Sequence, residues 1–253
     1  MSTETIQINL KITNTKGESF KIKNLSTENT NLLNCLGKVE FWINGKKSFG
    51  SGSLIQTRNF PIVATAAHCI YDWESKYFYE SLSFLPFSTS FKTKLRPYAA
   101  VIPKIWSEKA IVDFDTGFLL FNSFSNIENY TKYTIPAVFN IPRELNYIVA
   151  GFQNRIFPSK KPTANFGKAN QDFHRNSTLQ SVKSKGKNGM SGGPWLTKHK
   201  GVYIQNSVSS LSFKSQKNLL WGPYWGETIE ATFKVAEDFD LKDPRVISHI
   251  YMY

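Results

Sequence analysis

The chain has 253 residues, with 31 Lys and Arg against 19 Asp and Glu for a net charge of +12, and it is 41% hydrophobic and 15% aromatic. At roughly 150 residues per domain this is one large unit or two small ones sharing a cleft, and the apolar content excludes a disordered or low-complexity chain. Two cysteines, Cys35 and Cys69, allow one bridge at most and exclude a disulfide-stapled scaffold, while the positive charge draws phosphates, acidic proteins and anionic membranes without selecting among them.

Residues 1–34 form an N-terminal extension, polar and only weakly alternating (IQINLKI), that reads equally as an extra strand, a pro-segment or a loose arm. Met1 to Lys16 lacks the basic start and the apolar run of about 7–15 residues of a secretory signal. The expected location is therefore cytoplasmic, or one reached without a classical signal peptide. Gly37 to Ile43 alternates and meets Asn44-Gly45, a dipeptide suited to a tight hairpin turn, with Phe49 to Ile55 (FGSGSLI) as the returning strand. Further strands are expected at Ile62–Thr65, Tyr98–Ile102, Thr116–Phe121, Tyr147–Phe152, Trp195–Thr197, Val202–Asn206 and Leu219–Trp221. The polar connection Asn122 to Lys132 divides them into two groups. The fold expected is all-β: a first barrel over 35–130, a second over 131–226, and a C-terminal helix and tail over 227–253, with the helix at Glu227 to Asp238 where apolar residues recur near a 3.6 period. The most apolar stretch, Phe60 to Ile70, is far short of the roughly 18 residues of a membrane span.

Three segments carry chemistry. Asn188-Gly189-Met190-Ser191-Gly192-Gly193-Pro194 surrounds one serine with small residues, so that backbone N–H groups of Gly189 and Ser191 can face a carbonyl oxygen held against the hydroxyl. Thr65-Ala66-Ala67-His68-Cys69 ends an apolar strand on a histidine, a base of suitable pKa for a serine nucleophile. Asp113-Phe114-Asp115-Thr116-Gly117 precedes an apolar strand with a carboxylate able to orient an imidazole. Each has a plainer reading as a turn serine, a core histidine and a turn-capping aspartate.

Taken together, in the order His, Asp, Ser, these blocks resemble the chymotrypsin/trypsin-like serine endopeptidases over residues 37 to 238. The resemblance implies two six-stranded antiparallel β-barrels and a catalytic triad of His68, Asp115 and Ser191, with Asp113 as the alternative acid. It implies an oxyanion hole from Gly189 and Ser191, and a substrate-binding region that includes Lys185, Asn206, Ser207 and Ser209. Lys185 would suit an acidic or polar side chain. Two departures stand out. Met190 replaces the aspartate that pairs with a new N-terminus in cleavage-activated relatives, and Gly50 stands where many relatives place the cysteine that bridges to the one beside the histidine. A Cys35–Cys69 bridge is not expected.

The expected function is a serine endopeptidase acting on protein or peptide substrates through an acyl-enzyme. The alternatives are a catalytically silent domain that binds peptide or protein in the same cleft, and a basic nucleic-acid-binding β protein. No nucleic-acid partner is expected, and nothing speaks to oligomeric state. There is no CxxC pair, HExxH or phosphate-binding glycine loop, and His174 and His199 lack partners at ligand spacing, so no metal or cofactor is implied. The aromatic cluster Trp221 to Gly226 reads as packing between the last strand and the helix, or as a base-stacking platform.

Overall fold

The computed structural model describes residues 32–43, 45–88, 94–122, 130–154, 161–172, 177–184, 186, 188–216 and 218–252. Lys185, His174, Asn44, most of the 122–132 connection and nearly all of the N-terminal extension lie outside the described residues.

Two antiparallel sheets make up the body. In chain order the first comprises β1 (Leu36–Ile43), β2 (Lys46–Ile55), β3 (Ile62–Thr65), β6 (Ser83–Pro86), β7 (Ala99–Pro103) and β8 (Gly117–Leu120), with a separate two-stranded sheet of β4 (Tyr71–Asp72) and β5 (Tyr77–Phe78) between β3 and β6 and the short helix α1 (Lys104–Lys109) between β7 and β8. The second comprises β9 (Asn146–Gly151), β10 (Thr163–Gln171), β11 (Gln180–Lys183), β12 (Pro194–His199), β13 (Val202–Val208) and β14 (Leu219–Gly222). Helix α2 (Glu227–Asp238) and strand β15 (Val246–Ile250) close the chain. Strand order is β15-β7-β8-β3-β2-β1-β6 in one sheet and β13-β12-β9-β10-β11-β14 in the other, two curled sheets in the double-barrel arrangement. Among the described residues the first therefore has seven strands rather than six. Its seventh, β15, is the segment read from sequence as a tail; it returns from α2 to pair with β7 from Val246↔Pro103 to Ile250↔Ala99.

The packing explains why so many strands read as unbroken apolar runs. Ala99 and Val101 of β7, Phe118 and Leu120 of β8, and Ile62 and Ala64 of β3 face one shared core, while their neighbours Ala100, Ile102, Leu119 and Val63 face the interior of the first barrel. Strand β9 does the same in the second barrel, with Ile148 and Ala150 in the shared core and Tyr147 and Val149 inside. Strands buried on both faces lose the polar alternation of a half-exposed sheet. The shared core joins the two sheets and contains Ile229, Phe233, Val235 and Ala236 of α2.

The aromatic cluster before α2 is packing. Trp225 is fully buried, stacked on Phe139 with ring centroids 5.4 Å apart and tilted against Phe118 at 6.2 Å, and its indole N–H donates to Thr116 Oγ1 at 3.2 Å. Phe233 of α2 completes the group against Phe118 at 5.5 Å. Truncating a buried aromatic of this kind removes transfer energy and leaves a cavity. Trp225→Ala should therefore cost about 3–5 kcal/mol in denaturant unfolding, and a loss below about 1 kcal/mol would mean that this cluster does not tie the helix to the sheets.

Candidate active site

His68 and Asp115 meet because β3 and β8 pair. The register Thr65↔Gly117 brings the residues just after β3 beside those just before β8. Past Thr65 the buried Ala66 leads into a 3-10 turn, Ala67–Cys69, in which Ala67 and Cys69 are buried and the His68 side chain keeps 27% of its exposure. Asp115 is 1% exposed. Its Oδ1 accepts the His68 backbone N–H at 3.0 Å and its Oδ2 lies 2.7 Å from His68 Nδ1. An ionised carboxylate only accepts, so Nδ1 carries the proton and the neutral ring presents Nε2 as the base. The Ser210 hydroxyl also donates to Asp115 Oδ2.

The neighbouring aspartate does something else. Asp113 Oδ1 accepts from the Thr178 N–H and from the hydroxyls of Thr178 and Ser177. The 3-10 turn Val112–Phe114 separates two carboxylates that an extended strand would have set on one face.

The Ser191 loop is pressed between the barrels. A Cβ at Gly192, which has φ +80°, would collide with Ser51 O and Thr65 Oγ1, and one at Gly193 would collide with Ala150 O. Two peptide planes fix where the candidate oxyanion donors point. Asn188 O accepts the Asn154 N–H at 2.6 Å, and because a trans peptide sets its C=O and N–H on opposite sides, the Gly189 N–H faces the other way. Likewise Met190 O accepts the Gly193 N–H at 2.9 Å, turning the Ser191 N–H outward. Among the described residues neither N–H is given to another group. Ser51 Oγ donates to Gly189 O at 2.7 Å and accepts the Phe152 N–H at 2.8 Å, clamping the loop to both barrels. Met190 is buried in the second barrel with Tyr147, Val149 and Trp195, so apolar packing holds its side chain.

Among the described residues the Ser191 hydroxyl makes one hydrogen bond, to Ser210 O at 3.4 Å, and no bond to His68. Hydroxyl–base bonds in empty sites are commonly long and tighten only with substrate bound. Ser210 thus touches Asp115 with its side chain and Ser191 with its carbonyl. Ser210 and Ser51 both escaped sequence reading. Ser210 has no local mark, being one of three serines in Ser207 to Ser210, whereas the small residues Gly50 to Ser53 inside β2 do signal a close backbone approach.

Of the residues expected to bind substrate, Asn206, Ser207 and Ser209 are buried. Asn206 lies in the second barrel beside Tyr147, and Ser207 has its hydroxyl on Pro223 O at 2.7 Å. Ser209 works through its backbone, accepting the Gly192 N–H at 2.7 Å and donating to Gly193 O at 2.8 Å, while its hydroxyl takes the Trp195 indole N–H at 3.1 Å. The segment therefore reaches the Ser191 hydroxyl one residue later, at Ser210. Both cysteines are free; Cys69 Sγ lies 3.8 Å from Ser191 O, and Gly50 sits where a Cβ would come within 2.5 Å of that sulfur.

Burial opposes a charged His68 ring, but the Asp115 carboxylate and Cys69 beside it together outweigh burial and raise its pKa well above 6.5. For Asp115 burial pulls upward, while His68 and the Ser210 hydroxyl hold the carboxyl below its ordinary 3.8. In Asp115→Asn the carboxylate charge is gone and burial is opposed only by Cys69. The His68 titration followed by NMR should then move from well above 6.5 to lower pH, and an unchanged midpoint would show that Asp115 does not set it.

No family model matches the chain, and no curated protein sequence matches it. Solved structures do. Protease Anisep from Arthrobacter nicotinovorans is 25% identical with a TM-score of 0.71, over 81% of this chain and 96% of its own. The thermostable serine protease AL20 from an extremophilic microorganism is 22% identical with a TM-score of 0.70, over 84% and 99%. A Glu endopeptidase is 17% identical with a TM-score of 0.65, over 88% and 98%. With the two curled sheets and the C-terminal helix already in place, these similarities establish that the chain has the chymotrypsin-like serine protease fold.

Proposed function

We propose that this protein is a serine endopeptidase that hydrolyses peptide bonds of protein or peptide substrates through an acyl-enzyme. The observation that carries this reading is the Asp115 carboxylate, buried and accepting from His68 N–H, His68 Nδ1 and Ser210, whose carbonyl in turn receives the Ser191 hydroxyl. In this mechanism His68 Nε2 takes the Ser191 proton as Oγ attacks the scissile carbonyl, then gives it to the leaving amine. Asp115 holds the tautomer and stabilises the imidazolium, and the Gly189 and Ser191 N–H groups receive the developing oxyanion. Water, activated in the same way, releases the acyl group.

A second reading, a catalytically silent domain that binds peptide in the same cleft, draws support from the absence of a Ser191–His68 bond among the described residues. A fluorophosphonate probe separates the two, since only a competent nucleophile and base label Ser191. Ser191→Ala, His68→Ala and the double mutant should each lose essentially all peptidase activity and to the same extent, because nucleophile and base act as one unit. Asp115→Asn should lose on the order of 10⁴ in kcat. Retention of most activity by Ser191→Ala would sink the mechanism.

The pH profile gives an independent check. His68 must be neutral to act as base, and Asp115 raises its pKa, so kcat/KM should fall as pH drops through a value above 6.5 and level off on the alkaline side. An acid limb below 6.5 would mean that another group is being titrated.

A further inference from the structure

Asp113 is a buried carboxylate that the chemistry above leaves unused. It is 8% exposed, and the donors it accepts all belong to the second barrel: the Thr178 N–H, the Thr178 hydroxyl at 3.0 Å and the Ser177 hydroxyl at 3.2 Å. These donors sit at the base of the connection between β10 and β11, which is closed by Asp172 N–H to Leu179 O at 3.0 Å and by Leu179 N–H to Ser177 Oγ at 3.1 Å. Two carboxylates two residues apart therefore cross between the barrels, Asp115 to Ser210 and Asp113 to Ser177 and Thr178.

The sheet register joins these two crossings. Ser210 N–H donates to Trp221 O at 2.8 Å, and Trp221 pairs with Ser181 of β11, three residues beyond Thr178. The Ser177–Thr178 segment thus leads into β11 two strands away from Ser210, which receives the Ser191 hydroxyl, and Asp113 closes over it from the first barrel. Asp115 is held independently, by the β3–β8 ladder and by Phe114, which packs against both core clusters.

We propose that Asp113 is a positioning residue that fixes the Ser177–Thr178 turn as a wall of the substrate cleft on the Asp115 side of His68. Its loss weakens binding of extended peptides and leaves the chemical step alone. This inference rests on the endopeptidase reading above. All of the donors converge on Oδ1. Asparagine keeps an acceptor oxygen at that place, so Asp113→Asn preserves the clamp, whereas Asp113→Ala strands a backbone N–H and two hydroxyls.

The test uses the full chain as wild type, Asp113→Asn and Asp113→Ala. It compares kcat and KM for a single-residue acyl ester and for a hexapeptide, and follows hydrogen exchange at the Thr178 amide. Asp113→Ala should raise KM for the hexapeptide by about tenfold, the scale of one hydrogen bond to a charged group. Its kcat and its KM for the ester should stay within about twofold, and Thr178 exchange should accelerate. Asp113→Asn should restore both KM and slow exchange. Equal losses on both substrates, or a kcat loss in Asp113→Asn like that of Asp115→Asn, would overturn the proposal. So would a lower melting temperature with KM unchanged, because Asp113 would then be a structural staple only. If the wild type cleaved neither substrate, the endopeptidase reading would fail, and the exchange arm would still decide the clamp: equal Thr178 rates in all three proteins would refute it.

Discussion

The arrangement depends on one buried carboxylate. Taking Asp115 out of water costs several kcal/mol unless its lone pairs are met, and the groups that meet them come from both barrels: the His68 backbone and ring from the first, the Ser210 hydroxyl from the second. The same contacts that make the burial tolerable also set the histidine tautomer and tie the two halves of the cleft. The His68–Asp115 ion pair, which lies within the first barrel, has a pH window. His68, with its folded pKa raised, contributes stability that is full below 6.5 and is lost as pH rises through that higher value. Asp115, with its folded pKa lowered, contributes stability that is present above 3.8 and is lost as pH falls through the lower one. The charged pair thus stabilises the first barrel most at mildly acidic pH, while the base chemistry needs the neutral ring found on the alkaline side.

Around that carboxylate, small residues let backbones approach closely enough to be oriented by hydrogen bonds. Gly192 and Gly193 press against Ser51, Thr65 and Ala150, and the Ser51 hydroxyl spans Gly189 O and Phe152 N–H. Peptide planes held on their carbonyl sides leave the opposite N–H groups aimed outward, so the candidate oxyanion donors are preorganised without side-chain help. Met190 anchors the loop by burial among apolar residues, where an aspartate would have called for a buried cationic partner.

Much of this was legible in the sequence. The strands with dense apolar runs, such as IVAT at Ile62–Thr65 and YIVAG at Tyr147–Gly151, announce themselves because they are buried on both faces, and α2 begins and ends where its 3.6 period does. Strand β10 (TANFGKANQ) is polar and partly exposed and β11 (QSVK) is polar but buried from Gln180 to Val182, and they are strands because β9 and β14 supply ladders to them. Strand β15 is apolar only at Val246, Ile247 and Ile250, and its pairing partner β7 lies more than 140 positions earlier in the chain. Local pattern carries no information about partners so remote.

What the sequence determined by itself is therefore the inventory: two groups of strands, a helix after them, and the ordered blocks around His68, Asp115 and Ser191 with glycines where a backbone must come close. Those features depend on side-chain type and short spacing, which the chain displays directly. The tertiary structure adds where the two aspartates go, because a single 3-10 turn sends Asp115 to His68 and Asp113 to Thr178. It also brings Ser210 to Ser191 and Asp115, and sets Ser51 to brace the loop from another barrel. Each of these depends on where a hydroxyl or carboxylate points once two barrels are docked, and that direction is set by packing across the interface rather than by any neighbour in the chain.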